Sequence, residues 1–500
     1  MALTLFNTLG RRLEPFRALK AGEVGFYGCG PTVYNYAHIG NLRAYVTHDL
    51  LVKTLKYLGY GVKHVMNITD VGHLSGDDDS GDDKMVKSAA TRGKSVLEIA
   101  EFYTKAFFDD LDLMRIARAD VIPRATEHIP DMIELIGRIE KAGFTYESGG
   151  NLYFDISRFP NYGELALLRL DELKAGARTG VDENKRNPQD FVLWFTRSKF
   201  ENQALTWDSP WGRGYPGWHI ECSAMSIKYL GEQFDIHAGG IDHVPIHHTN
   251  EIAQSEAATG RHPWVRYWVH NEFLVLDKGK MSKSSGSFLT LRSLIDQGYN
   301  ALDYRYFLLG GHYRSQLQFS FEALDGARNA RRSLLERVKA LSDQAGAIPG
   351  AYLPASPEAC PAASPDAGAI PGTGVVIGEE ARKALDNFRA ALEDDLSSPR
   401  ALAELWSLVR NPRIRAEEAL AAAFVMDSVF SLDLWKAALE RREASTESGE
   451  SVREIEALVA ERAGAKKTRD FDAADRIRDE LKKRGIALED GPGGTTWKRI

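Results

Sequence analysis

A predicted strand, turn and helix at residues 23–58 constrain the fold of this chain more than any other stretch. Residues 23–27 are predicted to form the strand, and the helix begins at residues 38–41, which read HIGN. Apolar residues then recur every three or four positions, which is the period of a helix packed on one face. Residues 62–69 follow as a second apolar strand. The order strand, helix, strand predicts a βαβ unit and therefore a parallel sheet.

The turn between this strand and this helix combines two features that bind ligands. A helix start presents backbone N–H groups and the positive end of the helix dipole, which suits phosphate. The His38 imidazole can donate a hydrogen bond to a phosphate oxygen, and Cys29 ends the strand at the crevice where open α/β sheets bind ligands. We therefore expect a soft metal ligand and a phosphate site to share one pocket.

Composition narrows the class of protein. The chain has 500 residues, of which 43% are hydrophobic and 27% charged, as in globular proteins of several domains. No apolar run approaches the roughly 18 residues of a membrane span, and the N-terminus lacks the pattern of a signal peptide. Three cysteines argue against a disulfide framework and for a reducing compartment. We expect a cytoplasmic protein without a membrane partner.

The rest of the chain predicts an interrupted sheet followed by helices. A strand pattern resumes at residues 233–240, after so long an interval that an inserted module is expected. Beyond Phe319 the pattern is almost wholly helical, apart from residues 343–378, which are rich in Ala, Pro and Gly and are predicted to be a flexible insertion. Residues 72–83 are acidic and glycine-spaced. They lack the ligand order of a calcium-binding EF-hand loop, so a solvated surface loop is favoured.

Four residues far apart in the sequence offer the donors of a metal site. Within a predicted helix, His247 and Glu251 lie four residues apart and so on one face. With Cys29 and Cys222 they would supply two thiolates, an imidazole and a carboxylate, a set typical of tetrahedral zinc. His248 is a rival imidazole. Spacing alone favours two buried structural cysteines and a capped helix over zinc.

A further motif, which contains two lysines, lies at residues 279–286 and reads GKMSKSSG. Lys280 and Lys283 could close over a polyphosphate and offset the charge that develops on a leaving pyrophosphate. An ordinary basic surface loop is the alternative interpretation.

These motifs together resemble the cysteinyl-tRNA synthetase family of class I aminoacyl-tRNA synthetases. HIGN and KMSKS look like the two nucleotide motifs of class I enzymes, and CGPTVY at 29–34, GWHIECSAM at 217–225 and HHTNE at 247–251 are similar to family motifs. The resemblance extends from FNTLGRRLEPF near the N-terminus to GTTWKR at the C-terminus. It implies an α/β fold with a Rossmann-like parallel-sheet catalytic domain, an inserted module and a mostly α-helical tRNA- and anticodon-binding region.

The resemblance implies a reaction. The family activates L-cysteine with ATP to cysteinyl-adenylate and pyrophosphate, then transfers cysteine to the 3′-terminal adenosine of tRNA(Cys). Magnesium accompanies ATP, and the family's members are often monomers. A zinc ion binds the substrate thiolate, which separates cysteine from serine where an apolar pocket would not.

The resemblance also assigns residues, carried over position by position. The zinc ligands are Cys29, Cys222, His247 and Glu251. The amino-acid pocket contains Gly30, Thr69, Trp218 and Asp242, of which Asp242 would pair with the substrate ammonium group. ATP is held by His38, Gly40, Asn41, Lys280 and Lys283, of which His38, Asn41 and the two lysines carry the catalytic roles.

The implied domains follow the same order along the chain. They are the two halves of the catalytic domain at 1–118 and 206–265, the inserted module at 119–205, the KMSKS loop and stem-contact region at 266–318, a helical bundle at 319–450 and a small anticodon-binding domain at 451–500.

Three positions depart from the family pattern. They are the acidic insertion at 72–83, the sequence VPIHHTNE where the family has FPHHENE, and residues 285–287 where the family has LGN. Each changes the neighbours of assigned residues, but none removes an assigned residue. Two alternatives are a zinc-dependent cysteine ligase acting on an amino-sugar amine and a non-catalytic protein that binds cysteine or tRNA. The first lacks most of the helical region, so the long segment after Phe319 favours tRNA.

Overall fold

Strands and helices alternate in the first part of the chain, and helices dominate the second. The computed structural model describes residues 2–70, 88, 92, 94–167, 183–197, 205–276, 289–345, 375–468, 470–483, 486–491 and 494–499. Its strands are β1 (Thr4–Asn7), β2 (Arg12–Pro15), β3 (Glu23–Gly28), β4 (Gly61–Met66), β5 (Thr145–Ser148), β6 (Asn151–Phe154), β7 (Phe191–Phe195), β8 (Tyr215–Pro216), β9 (Phe234–Gly240), β10 (Val265–Asn271), β11 (Leu274–Leu276), β12 (Leu317–Phe319), β13 (Ile486–Gly491) and β14 (Gly494–Arg499).

The helices divide between the two parts. They are α1 (Ile39–Tyr57), α2 (Val96–Leu113), α3 (Ile129–Lys141), α4 (Trp218–Leu230), α5 (His247–Thr259), α6 (Leu291–Asp296), α7 (Ala301–Leu309), α8 (Phe321–Ala345), α9 (Glu379–Glu393), α10 (Ser398–Arg410), α11 (Ala416–Phe430), α12 (Leu434–Lys467) and α13 (Phe471–Lys483). Within the described ranges, none of these helices is both long enough and apolar enough to span a membrane.

A parallel sheet of strand order β10–β9–β3–β4 positions the site. The central strand β3 pairs in parallel with β4 on one side and with β9 on the other, and β9 pairs in parallel with β10. α1 connects β3 to β4, so the predicted βαβ unit is confirmed. Strand order reverses between β3 and β9, and open α/β sheets bind ligands at the carboxyl ends of strands at such a point.

An antiparallel sheet of order β5–β6–β7–β8 is inserted between β4 and β9. The sheet packs against α3, and its side chains Phe154 and Trp194 belong to a buried cluster that also contains side chains of α3, α4 and α5. The sequence pattern predicts helix for residues 95–145. The structure has α2 and α3 in this range, separated by a non-helical stretch at 114–124.

The helical region shares a hydrophobic core with the parallel sheet. α11 is buried along almost its whole length, and it packs against α1, α8, α9 and α10. α8 continues to Ala345 and α9 begins at Glu379, while residues 346–374 of the predicted insertion and the acidic loop at 72–83 lie outside the described residues.

The C-terminal part has a small core of its own. Ile455, Ile477, Leu481 and Ile486 form a cluster separate from the main core. The helical period predicts one apolar stripe of Phe471, Ala474, Ile477 and Leu481 in α13. The last three are buried, but Phe471 is 63% exposed, so its assignment to the stripe is wrong. The antiparallel hairpin β13–β14 follows α13, and the almost wholly helical pattern beyond Phe319 did not predict it.

Candidate active site and metal centre

Four predicted donors converge beside the carboxyl end of β3. Cys29 follows β3 directly, Cys222 lies in α4, and His247 and Glu251 lie one turn apart in α5. One ligating atom from each lies within 4.8 Å of the others, and all four residues are buried. Both cysteines are free thiols. Two thiols, an imidazole and a carboxylate are donors that zinc prefers, so these four residues would hold one zinc ion.

The Glu251 carboxylate supports this fit. Its Oε2 lies 2.9 Å from His237 Nε2, in a hydrogen bond. Its Oε1 lies 2.9 Å from His247 Nε2 without hydrogen-bond geometry, and it has no hydrogen-bond partner among the described residues. A buried carboxylate oxygen without a partner is costly. A metal ion bound by His247 and Glu251 would satisfy this oxygen.

His248 belongs to a second group of possible donors. With Cys29, His237 and Glu251 it also brings ligating atoms within 4.8 Å of one another. His248 Nε2 lies 3.2 Å from Cys29 Sγ, and its Nδ1 lies 2.7 Å from His270 Nε2. The two groups share Cys29 and Glu251, so they describe alternatives for one ion.

An adjoining cavity of about 170 Å³ distinguishes these two groups. Cys29, Cys222 and His247 line it, whereas of the second group only Cys29 does. A substrate in the cavity therefore reaches the first group, the one predicted from the sequence.

The electrostatics of the site favour metal binding at higher pH. Burial raises the pKa of Cys29, and Cys29 together with burial raises the pKa of Cys222 well above its usual value. Burial lowers the pKa of His247, but Glu251 and Cys222 outweigh burial and raise it to about 10. For Glu251, burial raises the pKa, yet His237 and His247 bring it down to about 2. Metal ligation releases protons from the thiols and the imidazole.

The four residues predicted for the amino-acid pocket all line this cavity. Gly30 lies so close to the end of β4 that a Cβ there would overlap the Asn67 carbonyl oxygen, and its N–H donates to Asn67 Oδ1 at 2.8 Å. The half-buried Trp218 ring stacks on His247 with 4.0 Å between centroids. The exposed Asp242 lies at the cavity mouth.

A second cavity, of about 460 Å³, contains the predicted ATP residues His38, Gly40 and Asn41. It shares Cys29, Gly30 and Asp242 with the first cavity, so the two adjoin. Lys280 and Lys283 lie outside the described residues. The structure thus brings the metal donors and the HIGN segment to one crevice.

His38 and Asn41 cap α1 reciprocally. The Asn41 N–H donates to His38 Nδ1 at 3.1 Å, and the His38 N–H donates to Asn41 Oδ1 at 3.2 Å. The Ile39 N–H donates to the Leu289 carbonyl at 2.8 Å. The prediction of free N–H groups at this helix start is therefore wrong for Ile39 and Asn41. Burial lowers the pKa of His38, which favours the neutral imidazole.

Sequence reasoning missed two polar residues that contact Thr69, namely Asn67 and Glu221. Thr69 Oγ1 donates to Glu221 Oε2 at 3.0 Å, and burial raises the pKa of Glu221 to about 8. Asn67 Nδ2 donates to Thr69 Oγ1 at 3.1 Å. Glu221 adjoins Cys222 within GWHIECSAM, and Asn67 directly follows β4, two residues before Thr69. Polar residues beside the assigned ones were therefore the available signal.

Family comparisons agree with this geometry. A family model described as the tRNA synthetases class I (C) catalytic domain matches residues 15–329. A second model, described as the cysteinyl-tRNA ligase anticodon binding domain, matches residues 449–497.

Curated relatives match the chain along its full length. It is 58% identical over 502 residues to a protein of Treponema denticola named cysteine–tRNA ligase, with 100% of both chains covered. Proteins of the same name from Treponema pallidum and Borreliella burgdorferi are 47% and 42% identical, over 530 and 501 residues, again with full coverage.

Solved structures share the fold. Mycobacterium tuberculosis methionyl-tRNA synthetase in complex with methionyl-adenylate superposes with a TM-score of 0.53 at 15% identity, covering 83% of this chain and 91% of that chain. A ternary complex of Agrobacterium radiobacter K84 LeuRS gives a TM-score of 0.55 at 11% identity, covering 85% and 86%. At these identities the likeness concerns the fold alone, and it confirms the predicted fold class. The full-length matches to the curated relatives establish the family. The chain therefore belongs to the cysteine–tRNA ligase family, with the catalytic domain of a class I, ATP-dependent aminoacyl-tRNA synthetase.

Proposed function

We propose that the chain activates L-cysteine with ATP and transfers it to the 3′ end of tRNA(Cys), with zinc selecting the substrate by its thiol. The observation that carries this proposal is the adjoining pair of cavities. One is lined by Cys29, Cys222 and His247, the other contains His38 and Asn41, and both contain Asp242. Cysteine bound at the first cavity has its carboxylate next to a nucleotide bound in the second.

The metal site accounts for selectivity. Cys29, Cys222, His247 and Glu251 would hold zinc, because they are buried, lie within ligating reach of one another and leave Glu251 Oε1 without a hydrogen bond. When bound, zinc supplies a soft Lewis acid that prefers a thiolate to the neutral hydroxyl of serine. Trp218 stacks on His247 and limits the freedom of the ring, and Glu251 is held by His237.

In the first step, the cysteine carboxylate attacks the α-phosphate of ATP, and the bond to the β-phosphate breaks to release pyrophosphate. The chain contributes position and charge rather than a side-chain nucleophile. Asp242 would pair with the ammonium group, while Gly30 and Thr69 line the pocket. His38, Gly40 and Asn41 would hold ATP with its magnesium, and Lys280 and Lys283 would neutralise the leaving pyrophosphate.

In the second step, the 3′-terminal adenosine of tRNA accepts the cysteinyl group and AMP leaves. We propose that residues 1–118 and 206–265 form the catalytic domain around the module at 119–205. Residues 266–318 would contact the acceptor stem, the bundle at 319–450 would support the tRNA, and residues 451–500 would bind the anticodon. We expect the enzyme to act as a monomer.

Cysteine-dependent exchange of pyrophosphate into ATP tests the proposal, with zinc content measured on the same sample. Cys222→Ser should lower zinc content and weaken cysteine activation far more than ATP binding, because it replaces a metal ligand that is absent from the ATP cavity. Ser407→Ala, in α10 and far from the site in sequence, is the control. Unchanged exchange by a zinc-free Cys222→Ser protein would rule out the zinc–thiolate proposal.

A further inference from the structure

Three aromatic side chains form a cluster at the rim of the ATP cavity. Tyr36 and Tyr103 line that cavity, and Phe102 lies beside them on α2. Their ring centroids are 5.0 to 6.0 Å apart, and the rings meet edge to face. Tyr36 is 43% exposed and Phe102 is 46% exposed, whereas Tyr103 is buried beneath them. We call Tyr36, Phe102 and Tyr103 the rim cluster.

Two cations lie over the rim cluster. Lys94 Nζ is 5.4 Å from the centroid of Phe102, and Arg92 Cζ is 5.2 Å from the centroid of Tyr103. Exposed aromatic rings accompanied by Lys and Arg are the features that bind single-stranded nucleic acid, because bases stack on the rings and the cations offset the phosphate charge.

Nearby carboxylates reduce the positive charge of these cations but do not cancel it. Glu98 caps the start of α2, where its Oε2 accepts hydrogen bonds from the Ser95 N–H and hydroxyl. Glu101 Oε2 accepts a hydrogen bond from Arg124 at 2.7 Å. Glu98 keeps its negative charge, because its hydrogen bonds come from a neutral hydroxyl and a backbone N–H. The three cations Arg92, Lys94 and Arg124 thus accompany two carboxylates, and the excess among these groups is one positive charge.

We propose that the rim cluster binds an unpaired nucleotide of the tRNA 3′ end as that strand enters the ATP cavity. The inference rests on the proposed function, which brings the 3′-terminal adenosine to this crevice. A small nucleotide can lie wholly inside the cavity, but the tRNA strand must cross the rim to reach its acceptor stem. Phe102 is exposed and does not line the cavity, so it is placed to contact a strand that crosses the rim rather than a nucleotide held inside.

Binding of two tRNA(Cys) transcripts to the full-length protein tests this inference, one intact and one lacking its unpaired 3′ nucleotides. Phe102→Ala should weaken binding of the intact transcript about tenfold, within the range for losing one base–aromatic stack. It should leave binding of the shortened transcript unchanged. Phe102→Tyr keeps the aromatic face and should bind the intact transcript like the wild type.

Leu113→Ala is the matched control, because Leu113 ends the same helix and is 47% exposed. It should bind both transcripts like the wild type. Equal weakening of both transcripts by Phe102→Ala, or no weakening of either, would overturn the inference, and so would a raised KM for ATP in pyrophosphate exchange, which would assign the cluster to ATP. Wild-type protein without cysteine-dependent exchange would instead contradict the proposed function.

Discussion

At the scale of single residues, three of the four candidate metal ligands each contact a different histidine. These buried contacts pair Cys29 Sγ with His248 Nε2 at 3.2 Å, Glu251 Oε2 with His237 Nε2 at 2.9 Å, and His247 Nδ1 with His219 Nδ1 at 3.0 Å. Partners of this kind fix the orientation of ligands and tune metal affinity. The histidines are thus expected to matter for the metal even though only Cys29, Cys222, His247 and Glu251 would bind it.

His237→Gln tests this at the Glu251 carboxylate. Loss of the imidazole contact should weaken zinc affinity roughly 10- to 100-fold, because Glu251 is no longer held in its ligating orientation. Competition with a chromophoric chelator measures the affinity. His128→Gln is the control, since His128 is also buried but contacts the Arg124 carbonyl and the Tyr229 hydroxyl. Equal zinc affinities in the two variants would show that His237 does not support the ligand.

The sequence predicts the candidate metal ligands but not all the contacts between residues of the site. The metal donors could be named because each lies within a motif of the family. The hydrogen bond from Thr69 to Glu221 joins residues 152 positions apart, and no local pattern indicates that pairing. The capping of α1 by His38 and Asn41 is local, but the sequence motif predicts only a phosphate-binding role for these two residues.

At the scale of elements, α1 fixes the segment that borders the ATP cavity. The buried Arg43 guanidinium donates to the carbonyls of Phe273, His312 and Ser315 at 2.6, 3.2 and 2.5 Å. Phe273 and Leu274 line the cavity at the start of β11. α1, with its cap His38, therefore contains the HIGN residues and also holds the opposite wall of their cavity.

Arg43→Lys should slow adenylate formation without lowering zinc content. A lysine has one ammonium group in place of the planar guanidinium, so it cannot hold several carbonyls in this arrangement. Single-turnover formation of cysteinyl-adenylate measures the rate, and we expect a loss of about tenfold or more. Arg118→Lys, at a surface pair with Asp112, should keep the wild-type rate. If both variants react alike, the wall at Phe273 does not depend on Arg43.

The elements that could be predicted are those with a strong local pattern. The helical spacing of apolar residues predicts α1, the four-residue spacing of His247 and Glu251 predicts α5, and an apolar run predicts β9. The antiparallel module could not be predicted in detail, because β5 to β8 have between two and five residues each, and the β6–β7 and β7–β8 pairs join strands that are far apart in the sequence. Phe471 matched the apolar period of α13, yet it lies in the first turn, where the neighbouring helix does not cover it.

At the scale of the whole molecule, a buried ionic network joins the sheet to the helical region. Asp49 Oδ2 in α1 lies 2.5 Å from Arg305 in α7 and 2.7 Å from Lys53. Arg305 also donates to the Phe430 carbonyl at 2.6 Å, and Lys53 donates to the Ser431 hydroxyl at 2.7 Å. One carboxylate thus connects α1 to the end of α11.

Asp49→Asn should lower the free energy of unfolding by about 3–5 kcal/mol at neutral pH, because it leaves two buried cations without their anion. Burial raises the pKa of Asp49, but Lys53 and Arg305 outweigh burial and hold it below its usual 3.8. The stabilisation is therefore fully present above pH 3.8 and is lost as pH falls through the lower folded-state pKa.

Urea unfolding of wild type and variant between pH 3 and 7 measures this difference, which should narrow at the acid end. The control is Asp109→Asn, at an exposed pair with Lys105, which should change stability by less than about 1 kcal/mol. If the free energies of unfolding of wild type and Asp49→Asn differ little at neutral pH, the network does not stabilise the contact between α1 and the helical region.

Deleting residues 451–500 should reduce tRNA charging much more than adenylate formation. The core formed by Ile455, Ile477, Leu481 and Ile486 is separate from the main core, so its removal leaves the catalytic crevice intact. Aminoacylation and pyrophosphate exchange, measured on the same preparation, give the two rates. Equal loss of both would mean that the C-terminal segment supports the catalytic fold.

Cobalt substitution tests the central claim most directly, because the absorption spectrum reports the ligands of the metal itself. In protein with cobalt in place of zinc, we expect thiolate-to-cobalt absorption from Cys29 and Cys222. Adding L-cysteine should increase that absorption, as a third thiolate joins the metal, and adding L-serine should not. The same spectral response to cysteine and serine, or no response to cysteine, would contradict selection of the substrate thiol by the metal.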